Sequence, residues 1–166
     1  MLRWRWHRSL TTVCTKRVNT LLLNVGLPHP WSMNGFIDQL EAYRGRQIDL
    51  YPFEWAPDLG STGAWQSYDD HDVIAYATNT TASHQDGIIL HEVGHMISNH
   101  ARQCVITIDH AQTLAPTLDP AAFGHLLAPR SLTREEKEAE MIATMLLARI
   151  ARGDGGGLDH RIEALR

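Results

Sequence analysis

Gly87-Ile88-Ile89-Leu90-His91-Glu92-Val93-Gly94-His95-Met96-Ile97 is the stretch that decides how this chain is read. Ile89, Val93, Met96 and Ile97 recur at helical spacing with apolar residues on most sides, so a largely buried helix is expected. Thr81 or Ser83 can cap its start, and the chain turns polar after His100 to Arg102. On such a helix His91 and His95 lie almost one turn apart, and both imidazoles can face one ion from the same side. Glu92 falls beside that ion, placed to take a proton from water and to pass it to a leaving amine. Zinc lowers the pKa of a water it binds from ~15.7 to roughly 7, which supplies the nucleophile at neutral pH. A metal-free core helix carrying the same three groups would need another partner for them, because burying them uncompensated is costly.

A catalytic zinc needs a third protein ligand and one open position. A metzincin would continue with glycine and histidine where this chain has Ser98 and Ala101, so that arrangement is excluded. The remaining source is a terminal helix, expected from Thr133 to about Arg152 and ended by Gly153-Asp154-Gly155-Gly156-Gly157. Glu136, Glu140, Ala143 and Leu147 share one stripe of it, and two carboxylates on a face expected to be buried need a reason. Coordination supplies one. One glutamate would bind the metal and the other would accept from the free N–H of a ligating histidine, with the two assignments exchangeable. Thr133-Arg134-Glu135-Glu136 also reads as a capping box, which would fold Glu136 back onto Thr133 and leave Glu140 as the ligand. Glu135, Lys137 and Glu138 are expected in water. His100, about 140° around the helix from His95, is expected at the surface or helix end. His71, His84, Tyr68 and Tyr76 lie near the motif in sequence and are candidates to stabilise a tetrahedral oxyanion.

At 166 residues and 43% hydrophobic content, one globular domain with a real core is expected. A net charge of −4 and a pI near 6.2 carry no basic footprint, so direct nucleic-acid binding is not expected. Arg3, Arg5, Arg8, Lys16 and Arg17 all precede the first acid, Asp38, and are read as a solvated basic arm. Cys14 and Cys104 form no disulfide framework or zinc knuckle, no run reaches the ~18 apolar residues of a membrane span, and no signal core follows the basic start. A cytoplasmic protein is expected.

Elsewhere the pattern predicts a helix from about Leu10 to Val25, and a second from Ser32 to Arg44 stopped by Gly45. A half-buried strand is expected over Gln47 to Tyr51, limited by Pro52. Ala64 to Tyr68 and Val73 to Ala77 read as a hairpin around Asp69-Asp70-His71-Asp72, and a short extended piece is expected at Cys104 to Ile108. The organisation is therefore a basic arm and helix over 1–30, the main domain over 31–152, and a Gly-rich flexible tail over 153–166.

Two segments resemble the ImmA/IrrE family of short gluzincin-like metallopeptidases. They are Ile88 to His95 with its polar end at His100, and Glu136-Lys137-Glu138-Ala139-Glu140-Met141-Ile142-Ala143-Thr144-Met145-Leu146-Leu147. In that family's pattern the ligand glutamate is followed by a small residue and then by Asn or Asp, at the positions of Glu136, Ala139 and Glu140 here. The resemblance favours Glu136 as ligand, and Glu140 departs from the usual residue. Tyr43-Arg44-Gly45-Arg46-Gln47-Ile48-Asp49-Leu50 is also similar to relatives, so that the likeness spans about residues 30 to 150. It implies a compact α+β zincin-like metallopeptidase domain, with a small sheet beside the HExxH helix and a C-terminal acidic ligand helix. It also implies one Zn2+ per chain and a separate helix-turn-helix repressor as substrate, in stress response, transcription regulation or a toxin-antitoxin pair.

The leading expectation is a zinc-dependent endopeptidase with His91, His95 and Glu136 on the metal and Glu92 as general base. The alternatives are a non-catalytic, zinc-stabilised partner-binding or toxin-antitoxin component, and a hydrolase of small substrates, which would need an enclosed pocket. The strand Val73 to Ala77 is expected to offer its edge to an extended substrate.

Overall fold

The computed structural model describes residues 2–56, 61–100 and 133–153, with side chains from Leu10 onward. In chain order these form Leu2–Asn24 (α1), Met33–Arg44 (α2), Gln47–Phe53 (β1), Gly63–Ser67 (β2), His71–Ala77 (β3), Ala82–Ile97 (α3) and Arg134–Ala151 (α4). The class is α+β, as expected. No helix of the described residues is long and apolar enough to cross a membrane. The expected piece at Cys104 to Ile108 and the tail beyond Gly153 lie outside the described residues.

Local chemistry sets most boundaries. Ser32 caps α2 by accepting from the Gly35 N–H, and Gly45 closes it with φ 62, a left-handed value that glycine adopts at no steric cost. The strand β1 runs through Pro52 to Phe53, further than expected. It can do so because β1 lies at the edge of a sheet ordered β1-β3-β2, where a missing N–H is tolerated. At the basic start α1 reaches back to Leu2, and Arg17, expected to be solvated, instead forms an ion pair with the buried Glu138.

The middle strand β3 runs parallel to β1 and antiparallel to β2. It is therefore hydrogen-bonded on both sides and has no edge for an extended substrate, which corrects the expectation for Val73 to Ala77. The expected hairpin is present, and a buried carboxylate ties it to α2. Asp72, fully buried, accepts from Arg44 Nη2 at 2.8 Å, from Arg46 Nε at 3.0 Å and from Trp65 Nε1 at 3.3 Å. Arg46 also donates to the carbonyls of Tyr68, Asp69 and His71, so one guanidinium holds the whole turn.

The core joins Ile48, Trp65 and Ile74 of the sheet to Leu90 and Val93 of α3, Ile142 and Leu146 of α4, and Cys14 and Val18 of α1. Helix α4 packs against both α3 and α1. Where it crosses α3 the backbones nearly touch: a Cβ on Gly94 would lie 3.0 Å from the Ala139 Cα and carbonyl oxygen. That close approach, which a larger residue than glycine would obstruct, sets how far the side chains on either side of Ala139 reach toward α3.

Candidate metal centre

Thr81 caps α3 by accepting from the His84 N–H, and the helix runs to Ile97. His91 and His95 project from it toward α4, where Thr133 caps the start by accepting from the Glu136 N–H at 3.2 Å. The capping interaction is thus made by the threonine alone. The Glu136 carboxylate does not fold back but lies between the two imidazoles, with Oε2 3.3 Å from His91 Nε2 and Oε1 3.4 Å from His95 Nε2. The two Nε2 atoms are 3.1 Å apart. Ligand atoms on a tetrahedral zinc with bonds of 2.0–2.1 Å are about 3.3–3.4 Å from one another, so three donors from two helices already stand near coordination spacing. Among the described residues this is the group of His, Cys, Asp and Glu side chains that could hold an ion.

Three donors so close perturb each other. Hydrogen bonds from His91 and His95 hold the Glu136 carboxyl well below the usual carboxylate range. Burial pulls the His91 imidazole down, but Glu136, Glu92 and Glu140 outweigh it and raise its pKa above the ordinary value. His91 Nδ1 lies 3.3 Å from Glu140 Oε2, the contact by which a carboxylate orients a ligating histidine. Glu140 is nonetheless 73% exposed at its side chain, so the stripe through Glu136 and Glu140 is the rim of the buried face and not its centre.

Glu92 is buried and lines a cleft of about 340 Å³ together with His91, Glu140, Ile88, Ala143 and Leu147. Gly63 of β2 closes over it, since a Cβ there would come within 2.9 Å of Glu92 Oε1 and collide with Ile88. Of the candidates for oxyanion stabilisation, His84 lines the cleft, its Nδ1 2.8 Å from Thr80 Oγ1. Tyr76 does not; it packs against the cluster of Phe53, Ala77 and Ile88. Tyr68 and His71 stack on each other at the opposite end of β3, with His71 Nδ1 against Asp70 Oδ1 at 2.7 Å. They belong to the hairpin turn and drop out of the site.

His100, expected at the surface or helix end, and Glu138, expected in water, are both buried behind the donor set, 9% and 5% exposed. As expected, His100 is not among the converging donors, and it lies at the helix end, but the chain there turns back inward. Ser98 is the C-cap of α3, Asn99 is left-handed with φ 51, and the Asn99 and His100 N–H groups return to the carbonyls of Met96 and His95. This is a Schellman turn, which lays the second residue after the cap back over the last helical turn. His95 Nδ1 and His100 Nδ1 are 2.9 Å apart. On the far side His100 Nε2 is 3.4 Å from Glu138 Oε2, and Glu138 Oε1 pairs with Arg17. Burial first, and then the neighbouring His95 and the Arg17 guanidinium, push the His100 pKa down to about 4. Asparagine is second to glycine at such a left-handed position, so Ser98-Asn99 was the available signal for this turn.

Fold and site together define an α+β domain with a two-histidine, one-glutamate donor set at the crossing of two helices. Compared with known proteins, the chain matches no family model, no curated protein and no solved structure. Its likeness to any family therefore rests on the two motifs.

Proposed function

We propose that this chain is a zinc-dependent endopeptidase of zincin-like design. The observation that supports it most is the convergence of His91 Nε2, His95 Nε2 and Glu136 within 3.1–3.4 Å, with Glu92 beside them on an open cleft. A zinc ion, when bound, supplies Lewis acidity that brings the pKa of a water to roughly 7. His91 and His95 would hold it through Nε2 and Glu136 through its carboxylate. Glu92 takes the proton of the attacking water and returns it to the amide nitrogen as the C–N bond breaks. A site meant only to stabilise a fold has no chemical need for such a base. His84, which lines the same cleft, is the donor this reading assigns to the developing oxyanion. The open cleft suits a polypeptide better than a small molecule, and the sheet edge nearest Glu92 belongs to β2.

The motif resemblance supports a separate helix-turn-helix repressor as the substrate, within a stress-response or toxin-antitoxin setting. The buried free thiol of Cys14 suits a reducing, cytoplasmic compartment. The reading is tested by digesting a protein-derived peptide library with zinc-loaded protein and mapping the new termini. Wild type is expected to cut a restricted set of bonds, and Glu92→Gln to keep its zinc while losing about 10²–10⁴-fold in rate. Equal cleavage by Glu92→Gln, or none by zinc-loaded wild type, contradicts it and favours a zinc-stabilised binding module.

A further inference from the structure

We infer that His100, backed by Glu138 and Arg17, is a positioning residue that fixes the tautomer and ring orientation of His95 at the metal centre. The inference rests on the reading of His91, His95 and Glu136 as metal donors. It concerns how the buried one of those donors is held.

Two ring nitrogens 2.9 Å apart must share one proton, one donating and the other accepting. His95 has its Nε2 turned to His91 Nε2 and to Glu136, so a metal at that point needs the Nε2 lone pair and leaves the His95 proton on Nδ1. His100 Nδ1 must then accept, and an imidazole that accepts at Nδ1 carries its proton on Nε2. That proton faces Glu138 Oε2 at 3.4 Å, and the other Glu138 oxygen pairs with the Arg17 guanidinium. Every proton along the line has one consistent place. With a metal on the three donors the opposite assignment fails at both ends: it puts a His95 N–H where the metal needs the Nε2 lone pair, and it sets the bare lone pair of His100 Nε2 against a carboxylate.

The backbone makes the arrangement hard to escape. Asn99 in the left-handed region and the 3.1 Å bond from the His100 N–H to the His95 carbonyl lay the two rings edge to face, with centroids 5.0 Å apart. The supports come from three elements, α1 through Arg17, α4 through Glu138 and the end of α3 through His100. Because His100 and Glu138 are both buried, water does not stand in readily for a lost partner.

A merely structural network would stabilise the fold and leave metal affinity alone, so the two must be measured apart. Zinc affinity is read by competition with a chromophoric chelator, and fold stability by urea unfolding of the metal-free protein. The forms compared are wild type, Glu92→Gln, His100→Leu, His100→Asn and Glu138→Gln. His100→Leu is expected to weaken zinc binding about 10–100-fold, and His100→Asn, which can offer an amide oxygen near the lost Nδ1, to recover most of that. Glu138→Gln should fall between wild type and His100→Leu. Wild-type affinity in folded His100→Leu, or in Glu138→Gln if His100→Leu does not fold, overturns the inference, as does an asparagine variant no better than leucine. Wild type that binds no zinc overturns it together with the metal centre. Tight zinc in wild type and Glu92→Gln with the predicted losses at His100 upholds it even if no peptide is ever cut.

Discussion

The two histidines of the motif, four residues apart on one helix, are supported in opposite ways. On the cleft side His91 leans on Glu140, a carboxylate 73% exposed to solvent. On the inner side His95 leans on His100, then on Glu138, whose side chain is 7% exposed, and through it on Arg17. The cleft-side partner is screened by water, as suits a face proposed to admit a substrate. The inner partner sits where dielectric screening is weak and where a missing group would not be replaced. One donor is therefore adjustable and the other anchored. The anchoring is supplied by His100, Glu138 and Arg17, none of which is a member of the donor set.

Removing charge from each side should expose the difference. Glu138→Ala strands His100 and Arg17 and is expected to destabilise the metal-free fold by about 2–3 kcal/mol, below the ~3–5 kcal/mol of a fully buried broken pair because Arg17 is 33% exposed. Glu140→Ala should change stability by less than ~0.5 kcal/mol and weaken zinc less than His100→Leu does. Urea midpoints and chelator competition on the same samples check both, and equal losses on the two sides would erase the contrast. A smaller effect is expected in the pH dependence. The folded-state pKa of His91 is raised, so the stability it contributes to the metal-free protein is complete below the ordinary value of ~6.5 and is lost as pH rises through the raised one. With zinc present, protons and metal compete for the same donors and stability should instead increase over that interval. His100, pushed down to about 4, changes stability in the opposite sense over part of this interval, so the comparison is made in His100→Asn. Its unfolding midpoints between pH 6 and 8, with and without zinc, should slope in opposite directions; parallel slopes would contradict this account of His91.

What could be read from the residues was whatever depends on a single element. The spacing of His91 and His95, a cap at Thr81 or Ser83, the stop at Gly45 and a terminal helix bearing Glu136 and Glu140 each follow from one element at a time, while the preference for Glu136 over Glu140 rests on the resemblance. What could not be read depends on several elements meeting. A single stripe through Glu136, Glu140, Ala143 and Leu147 assumed one neighbour for α4, but α4 lies against both α3 and α1. Its buried arc is accordingly Glu138, Ala139, Ile142, Ala143 and Leu146, and Glu138 is drawn inside while Glu140 is turned out. Tyr76 and His71 are near the motif in sequence, whereas the sheet carries His71 to the far end of β3 and packs the half-buried Tyr76 against the core. The close approach of Gly94 to the Ala139 backbone, which sets the helix crossing, likewise depends on two elements meeting.

The most direct test of the metal centre is elemental analysis of protein purified without added metal, comparing wild type, Glu92→Gln and Glu136→Ala. The account predicts one zinc per chain in wild type and Glu92→Gln and its loss in a folded Glu136→Ala. No metal in well-folded wild type after zinc is supplied, or a full equivalent retained by Glu136→Ala, would contradict it.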